Sequence, residues 1–438
     1  MDPVIIALIT VGLLMLCILL GVHVGVALAI SSLVGIWWTT GNLNIAISLL
    51  GETSYRAIME YIFGVAPLFI MMGLLANLSG ASQELYDAAN IAFSRVRGGL
   101  GMATVAANAI FASITGVSVA SAAVFSKIAL PQMRRVGYDH RFALGIVSGS
   151  SVLGMLIPPS ILLILYGIMA EEAIGKLFIA GILPGIVLAI IFSLGIFIMT
   201  LLRPDVIGKS AADEDRANKK NSLLVLLKPW AIALLVLLVL GGIYLGFFTP
   251  TEAAAIGAFG TFILALAKRR MTLSNFWDTM LETGYANAAI CFLIISAQMY
   301  SRMLTIAGMP AAMSQYVTSL SLSPLIIIAL IVALFIVLGA ILDSSSILLV
   351  TIPLLIPIVK PLGFDLIWFG IVSVVAVEMG LLTPPFGMVV YAMKAVLVEE
   401  ASLEDIFRGS FPFLIMILVF LIIVISFPIL STWLPSLM

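Results

Sequence analysis

The chain is poor in the residues that carry most enzyme and metal chemistry. Its 438 residues hold 2 cysteines, 2 histidines and only 10% charged residues. Cys17 and Cys291 both lie in apolar runs, so neither a disulfide framework nor a thiolate metal site is indicated. His23 and His140 are far apart, and no HExxH run brings histidines together for zinc hydrolysis. No GxSxG and no Gly-x-x-x-x-Gly-Lys-Ser/Thr run is found, so serine hydrolysis and ATP drive lack support, and an enzyme is not expected. Lys+Arg number 21 against 22 Asp+Glu, which leaves no broad basic face for nucleic acid.

The shortage of charge is itself informative. Soluble domains run at about 25% charged residues. Here 62% of residues are hydrophobic and the mean hydropathy is +1.24. A soluble monomer cannot cover its surface with so little charge. The chain therefore reads as an all-α polytopic membrane protein. A spanning helix needs about 20 apolar residues. Runs of that kind occur near 4–22, 24–40, 62–79, 143–170, 178–202, 229–248, 251–267, 287–304, 366–398 and 411–435. The alternation of a β-barrel is absent. The amino end carries Asp2 and no basic residue, so the first run reads as a helix and not as a cleaved signal. Trp37, Trp38, Trp277 and Trp433 suit interface belts.

Four shorter apolar pieces, 98–115 with 117–130 and 324–342 with 347–358, come as close pairs joined by small and hydroxyl residues. They read as two re-entrant hairpins. The expected organisation has a first repeat over 1–202 and a second over 229–438, joined by a hydrophilic linker at 203–228. The first repeat divides into scaffold helices 1–80, an arm at 81–97, a hairpin at 98–135, a broken helix at 140–170 and a helix at 178–202. The second has scaffold helices 229–304, a hairpin at 324–361, a broken helix at 364–398 and a helix at 411–435. The amphipathic stretch 270–285 reads as a second arm.

Basic residues set the orientation. Arg203, Lys209, Arg216, Lys219, Lys220 and Lys228 fall in the linker, among Asp213, Glu214 and Asp215. With the linker inside, Lys268, Arg269, Arg270, Arg95, Arg97, Arg134, Arg135 and Arg141 also fall inside. Arg56, Lys176, Arg302 and Lys360 remain on or near the outer face. Both termini then lie on the outer, periplasmic side.

An internal repeat carries the functional argument. Ser118, Pro131, Gly137-Tyr138-Asp139, Gly154 and Pro158-Pro159 recur as Ser344, Pro357, Gly363-Phe364-Asp365, Gly380 and Pro384-Pro385, about 226 residues later and without a gap. An odd number of crossings per half inverts the copies. Inverted repeats with interrupted helices are the architecture of secondary transporters, with sites near the midplane where the interruptions meet. One interruption in each half is a hairpin tip, Thr115–Ser121 and Gly339–Ser346. The other is a Pro-Pro break, whose prolines leave carbonyls one turn earlier without partners. Freed carbonyls suit Na+, and helix N-termini suit anions.

GSSVLGMLIPPS at 149–160, EMGLLTPPFG at 378–387, FTPTEAA at 248–254 and the Asp343-Ser-Ser-Ser tip resemble the large membrane subunit of the TRAP (tripartite ATP-independent periplasmic) transporters. The match runs over essentially the whole chain. The resemblance implies Na+-driven uptake of an organic acid such as a sialic acid or a C4-dicarboxylate. It implies a periplasmic substrate-binding protein and a small four-helix membrane subunit as partners, and the bacterial inner membrane as location. It implies a fold like that of the ion transporter superfamily, with a scaffold and a mobile elevator domain. A stand-alone Na+ or H+ symporter for dicarboxylates is the alternative.

Candidate Na+ ligands of the first half are Thr115, Ser118, Ser121, Gly149, Ser150 and Pro158, with no carboxylate at that tip. Those of the second half are Asp343, Ser344, Ser345, Ser346, Gly380 and Thr383. Asp343 is either an ion ligand or a helix cap, and the two roles can coexist. The serines are ligands or small-residue packing. Glu378, with Pro159, Pro384 and Pro385, is the candidate coupling or substrate group, or else Glu378 bridges helices. Glu252 reads as a cap, Lys127 as a snorkelling residue and Arg302 as an outer-face anchor.

Overall fold

The computed structural model describes residues 3–59, 61–208, 225–319 and 322–438, and every regular element among them is helical. The first part of the chain holds α1 (Pro3–Leu19), α2 (Val24–Thr40), α3 (Leu43–Met59), α4 (Val65–Leu78) and α5 (Ala81–Phe93). A helical hairpin follows, α6 (Gly99–Thr115) and α7 (Ser118–Arg135). Next come α8 (His140–Ser151), the short α9 (Leu153–Leu156), α10 (Ile161–Ala170) and α11 (Ile174–Leu202). The later part holds α12 (Trp230–Tyr244), α13 (Pro250–Ala267), α14 (Leu273–Ile306) and α15 (Met309–Ser319). A second hairpin, α16 (Pro324–Gly339) and α17 (Ser344–Val359), precedes α18 (Leu366–Gly380), α19 (Met388–Val396), α20 (Leu403–Ser426) and α21 (Ile429–Thr432).

Local chemistry sets the helix starts. The Asp139 carboxylate accepts from the Phe142 N–H, and Asp365 accepts from the Ile367 and Trp368 N–H groups, so the repeated Gly-aromatic-Asp anchors are matching N-caps. Gly137 and Gly363 sit at φ +85° and +80°, the left-handed region that ends the preceding hairpin leg. Thr249 and Glu252 form a reciprocal capping box at the start of α13. Glu252 is thus a cap, as its position after Thr249-Pro250-Thr251 predicts.

Packing gathers the helices into two groups that touch where α4 meets α6 and α14 meets α17. α13 lies on α4 and α12, while α14 lies on α2, α3 and α4. The hairpins, the broken helices, α11 and α20 form the other group, with α8 along α20 and α16 along α18. Lipid supplies no hydrophobic drive between helices, so close approach of small residues does the work. On α8 and α20 these are Gly145 against Gly409, and Ser148 bonded to Ser410 at 2.6 Å. The halves exchange contacts reciprocally: α10 packs on α17, and α19 packs on α7. Ion pairs add to this on one face, Arg134–Glu400 at 2.5 Å and Arg141–Asp405 at 2.7 Å.

Five described helices are long and apolar enough to span a membrane: Ile174–Leu202, Pro250–Ala267, Leu273–Ile306, Ser344–Leu362 and Leu403–Ser426. The count rises to seven if the bent pairs α4–α5 (66°) and α8–α10 (40°) are single spans. This is fewer than the crossings expected from sequence, because α1, α2 and α12 are 15–17 residues long. Several expected boundaries move. The arm 270–285 and the crossing 287–304 are one unbroken 34-residue helix, α14, because no proline lies between them and Gly284 alone does not stop it. α3 fills a stretch given neither a crossing nor an arm. It buries Ala46, Leu50, Thr53 and Ala57 on one stripe and exposes the Glu52–Arg56 pair. α15 was equally unexpected. α11 begins at Ile174, before the expected 178. α20 starts at Leu403, capped by Ser402, and ends at Ser426, where 411–435 is expected. The leg expected at 347–358 extends over Ser344–Leu362 and meets the spanning criterion. Of the linker, residues 209–224, with Lys209, Asp213, Glu214, Asp215, Arg216, Lys219 and Lys220, lie outside the described residues.

Candidate functional site

The first tip is a tight turn. α6 ends at Thr115, Gly116 takes the left-handed conformation, Val117 is extended, and α7 begins at Ser118. A side chain at Gly116 would strike the Pro159 carbonyl. The Gly116 carbonyl accepts from the Ile161 N–H at 3.4 Å, just beyond Pro158-Pro159. A Cβ on Gly154 would lie 3.0 Å from both Cα and N of Ser118. Tip and break of the first half are therefore in backbone contact.

The second half repeats this union with different atoms. The Ala340 carbonyl accepts from the Phe386 N–H at 3.1 Å, just beyond Pro384-Pro385. Gly339 and Gly380 meet without side chains: a Cβ on Gly339 would lie 2.7 Å from Cα of Gly380. Both Pro-Pro bonds are cis.

The expectation that the breaks leave carbonyls without partners is corrected at three positions. The Met155 carbonyl accepts from the Ser160 hydroxyl, the Gly380 carbonyl from the Thr383 N–H at 2.9 Å, and the Leu381 carbonyl from the Val389 N–H at 3.3 Å. An unmet carbonyl away from water is costly, so the chain turns local donors onto it. A carbonyl oxygen has a second lone pair, so these groups can still take part in ion coordination.

The candidates differ in what they do. The Asp343 carboxylate caps α17, accepting from the Ser346 N–H at 3.0 Å and from the Ser346 hydroxyl. Ser344 is buried and Ser345 half-buried. Thr383 bonds back to the Met379 carbonyl at 2.9 Å, and Thr115 to that of Phe111 at 3.1 Å. A Cβ on Gly149 would overlap the Phe413 ring, and its carbonyl accepts from the Val152 N–H, so close helix packing is its evident task. Lys127 and Arg302 are exposed.

Glu378 changes the picture of the first half. It is the only Asp, Glu, Lys, Arg or His among the buried described residues. Its Oε2 accepts from the Ser118 hydroxyl at 2.5 Å, across 260 residues of sequence. Its Oε1 has no partner, and neither has the buried Ser121 hydroxyl on the next turn of α7. The tip that lacks a carboxylate of its own thus receives one from the other half. Asn108 was missed from sequence. Its amide donates to Ser150 at 2.7 Å, while its Oδ1 is buried without a partner. An amide within an apolar helix was the signal that could have found it. Each of these hydroxyl, amide and carboxylate oxygens keeps an open acceptor site, the hard-oxygen chemistry that a small cation takes.

Two helical hairpins, two broken helices and several long apolar helices, with only helical elements among the described residues, are consistent with a multi-pass membrane protein of the transporter class. Residues 11–430 match the family described as "Tripartite ATP-independent periplasmic transporter, DctM component", and the chain belongs to that family. The C4-dicarboxylate TRAP transporter large permease protein DctM of Pseudomonas aeruginosa is 36% identical over 395 residues, covering 90% of this chain and 89% of that protein. The sialic acid TRAP transporter large permease protein SiaM of Vibrio cholerae is 28% identical over 393 residues, covering 89% and 90%. These relatives are permease subunits, not enzymes. Among solved structures, the YdaH transporter of Alcanivorax borkumensis aligns with a TM-score of 0.56 at 13% identity over 88% of each chain, a likeness of fold.

Proposed function

We propose that the chain is the large membrane subunit of a Na+-coupled transporter that imports an organic acid across the bacterial inner membrane. It receives that acid from a periplasmic binding protein and works beside a small four-helix subunit. The observation that carries the reading is the meeting of both tips and both breaks in one packed group, with Glu378 of one half bonded to Ser118 of the other. Reciprocal packing of α10 on α17 and α19 on α7 supports two inverted copies with re-entrant hairpins. Na+ would be held by hydroxyl and carbonyl oxygens of the tips, with the Asp343 cap contributing at the second. Ordering of tips against breaks by Na+ completes the substrate's site, which is differential stabilisation of one state. The group of hairpins, broken helices, α11 and α20 then shifts against the scaffold of α1–α4 and α12–α14 in an elevator movement.

The relative at 36% identity is a C4-dicarboxylate permease, which makes that acid class the first to test. In proteoliposomes with the small subunit and the binding protein, a C4-dicarboxylate or sialic acid enters only when a Na+ gradient is present. Uptake by this chain alone, indifferent to Na+, contradicts the proposal and favours a stand-alone carrier.

A further inference from the structure

We infer that Glu378 is a positioning residue that couples the two hairpin tips, and not a contact of the transported acid. The inference rests on the Na+-coupled reading above. A contiguous run of contacts joins all four interruptions. Gly154 of the first break lies on Ser118 of the first tip, and Ser118 bonds Glu378. Glu378 stands two residues before Gly380, which meets Gly339 at the start of the second tip. Ala340 of that tip then bonds Phe386 beyond the second break. The Ser118–Glu378 bond is the link in this run where a side chain crosses from one half to the other.

The chemistry favours linking over binding. The Glu378 carboxyl is fully buried, and one of its oxygens is already held by Ser118. Ser118 is the first residue of α7, so the bond fixes where the hairpin turns and also fixes the last turn of α18 before its break. An element held at both ends of such a bond transmits order. A cation that settles one tip reduces the cost of settling the other, which is a coupling free energy between two sites.

Wild type, Ser118→Ala, Glu378→Ala, Glu378→Gln and the Ser118→Ala/Glu378→Ala double variant are reconstituted with the small subunit and the binding protein, and uptake is followed against Na+ concentration. Wild type is expected to rise sigmoidally. Each alanine variant should rise less steeply, with half-saturating Na+ increased by about tenfold. The double variant should be no worse than the worse single, because both remove one bond. Glutamine keeps an oxygen that accepts from Ser118, so Glu378→Gln should keep the steep rise. Additive effects, an unchanged slope in both alanine variants, a wild type that is Na+-dependent without a sigmoid, or a glutamine variant as flat as alanine would each overturn the inference. Ser118→Ala carries the test if Glu378→Ala does not accumulate. A wild type indifferent to Na+ sinks the coupling-ion reading instead. The link is then decided by amide hydrogen exchange of residues 115–121 in the purified full chain. Exchange should be faster in Glu378→Ala and unchanged in Glu378→Gln, and equal exchange in all three would overturn it.

Discussion

The two halves share their anchors and differ in what surrounds them. Pro158, Pro159 and Ser160 are buried, while Pro384, Pro385 and Phe386 are exposed. At the first tip Thr115 is buried against α4, where a Cβ on Gly73 would lie 2.9 Å from Cα of Thr115. Its counterpart in the second half, Ile341, is 45% exposed. The first tip is thus covered by α4, whereas the second tip and its break present Ile341, Pro384, Pro385 and Phe386 at the surface. Shared glycine, serine and paired-proline anchors in unequal surroundings mean that the repeat specifies the unwound elements, and helices outside the unit decide which of them is covered.

The sharpest way to break this comparison is at the glycine crossing of the second half. Gly380→Leu places a branched side chain where the backbone of Gly339 lies, and overpacking of this kind costs roughly 1–3 kcal/mol. The expected result is loss of uptake and a lower unfolding temperature in detergent. Retention of both would mean that the second tip and break need not touch. Asp343 sharpens the comparison with a smaller effect. Asparagine caps a helix about as well as aspartate, whereas alanine loses about 1 kcal/mol. Asp343→Asn should therefore keep thermal stability while raising the Na+ needed for half-maximal uptake, and Asp343→Ala should lose both. If Asn behaves as wild type in uptake, Asp343 is a cap alone. The smallest effect is expected in the scaffold. Thr249→Ala removes the capping box of α13 and costs about 0.5–2 kcal/mol, with the Na+ dependence of uptake unchanged. A shift in Na+ dependence there would argue against two separable groups.

Much of the repeat was legible because turns, caps and breaks are local. Glycine at positive φ, aspartate before a helix and paired prolines speak for themselves at Gly137, Asp139, Pro158-Pro159 and at their counterparts. Helix continuity was less legible. Asp278 and Glu282 make 270–285 look interfacial, yet nothing between Leu273 and Ile306 stops a helix. α3 was hidden because Glu52 and Arg56 interrupt an apolar run, although they pair with each other on the exposed side. The join between Ser118 and Glu378 could not be seen at all, since it depends on how helices 260 residues apart pack. For the same reason the unmet carbonyls expected at the breaks were overstated: Ser160 and Thr383 turn back onto them only in three dimensions.

Opposed threading of the two copies is the central claim, and Arg135 and Pro361 test it most directly. They occupy equivalent positions at the ends of the two hairpins and both are exposed. After Cys17 and Cys291 are replaced by serine, Arg135→Cys and Pro361→Cys are treated with a membrane-impermeant maleimide in intact spheroplasts and again after permeabilisation. The account predicts labelling of Pro361→Cys in intact spheroplasts, and of Arg135→Cys only once they are permeabilised. Labelling of both from the same side would contradict it.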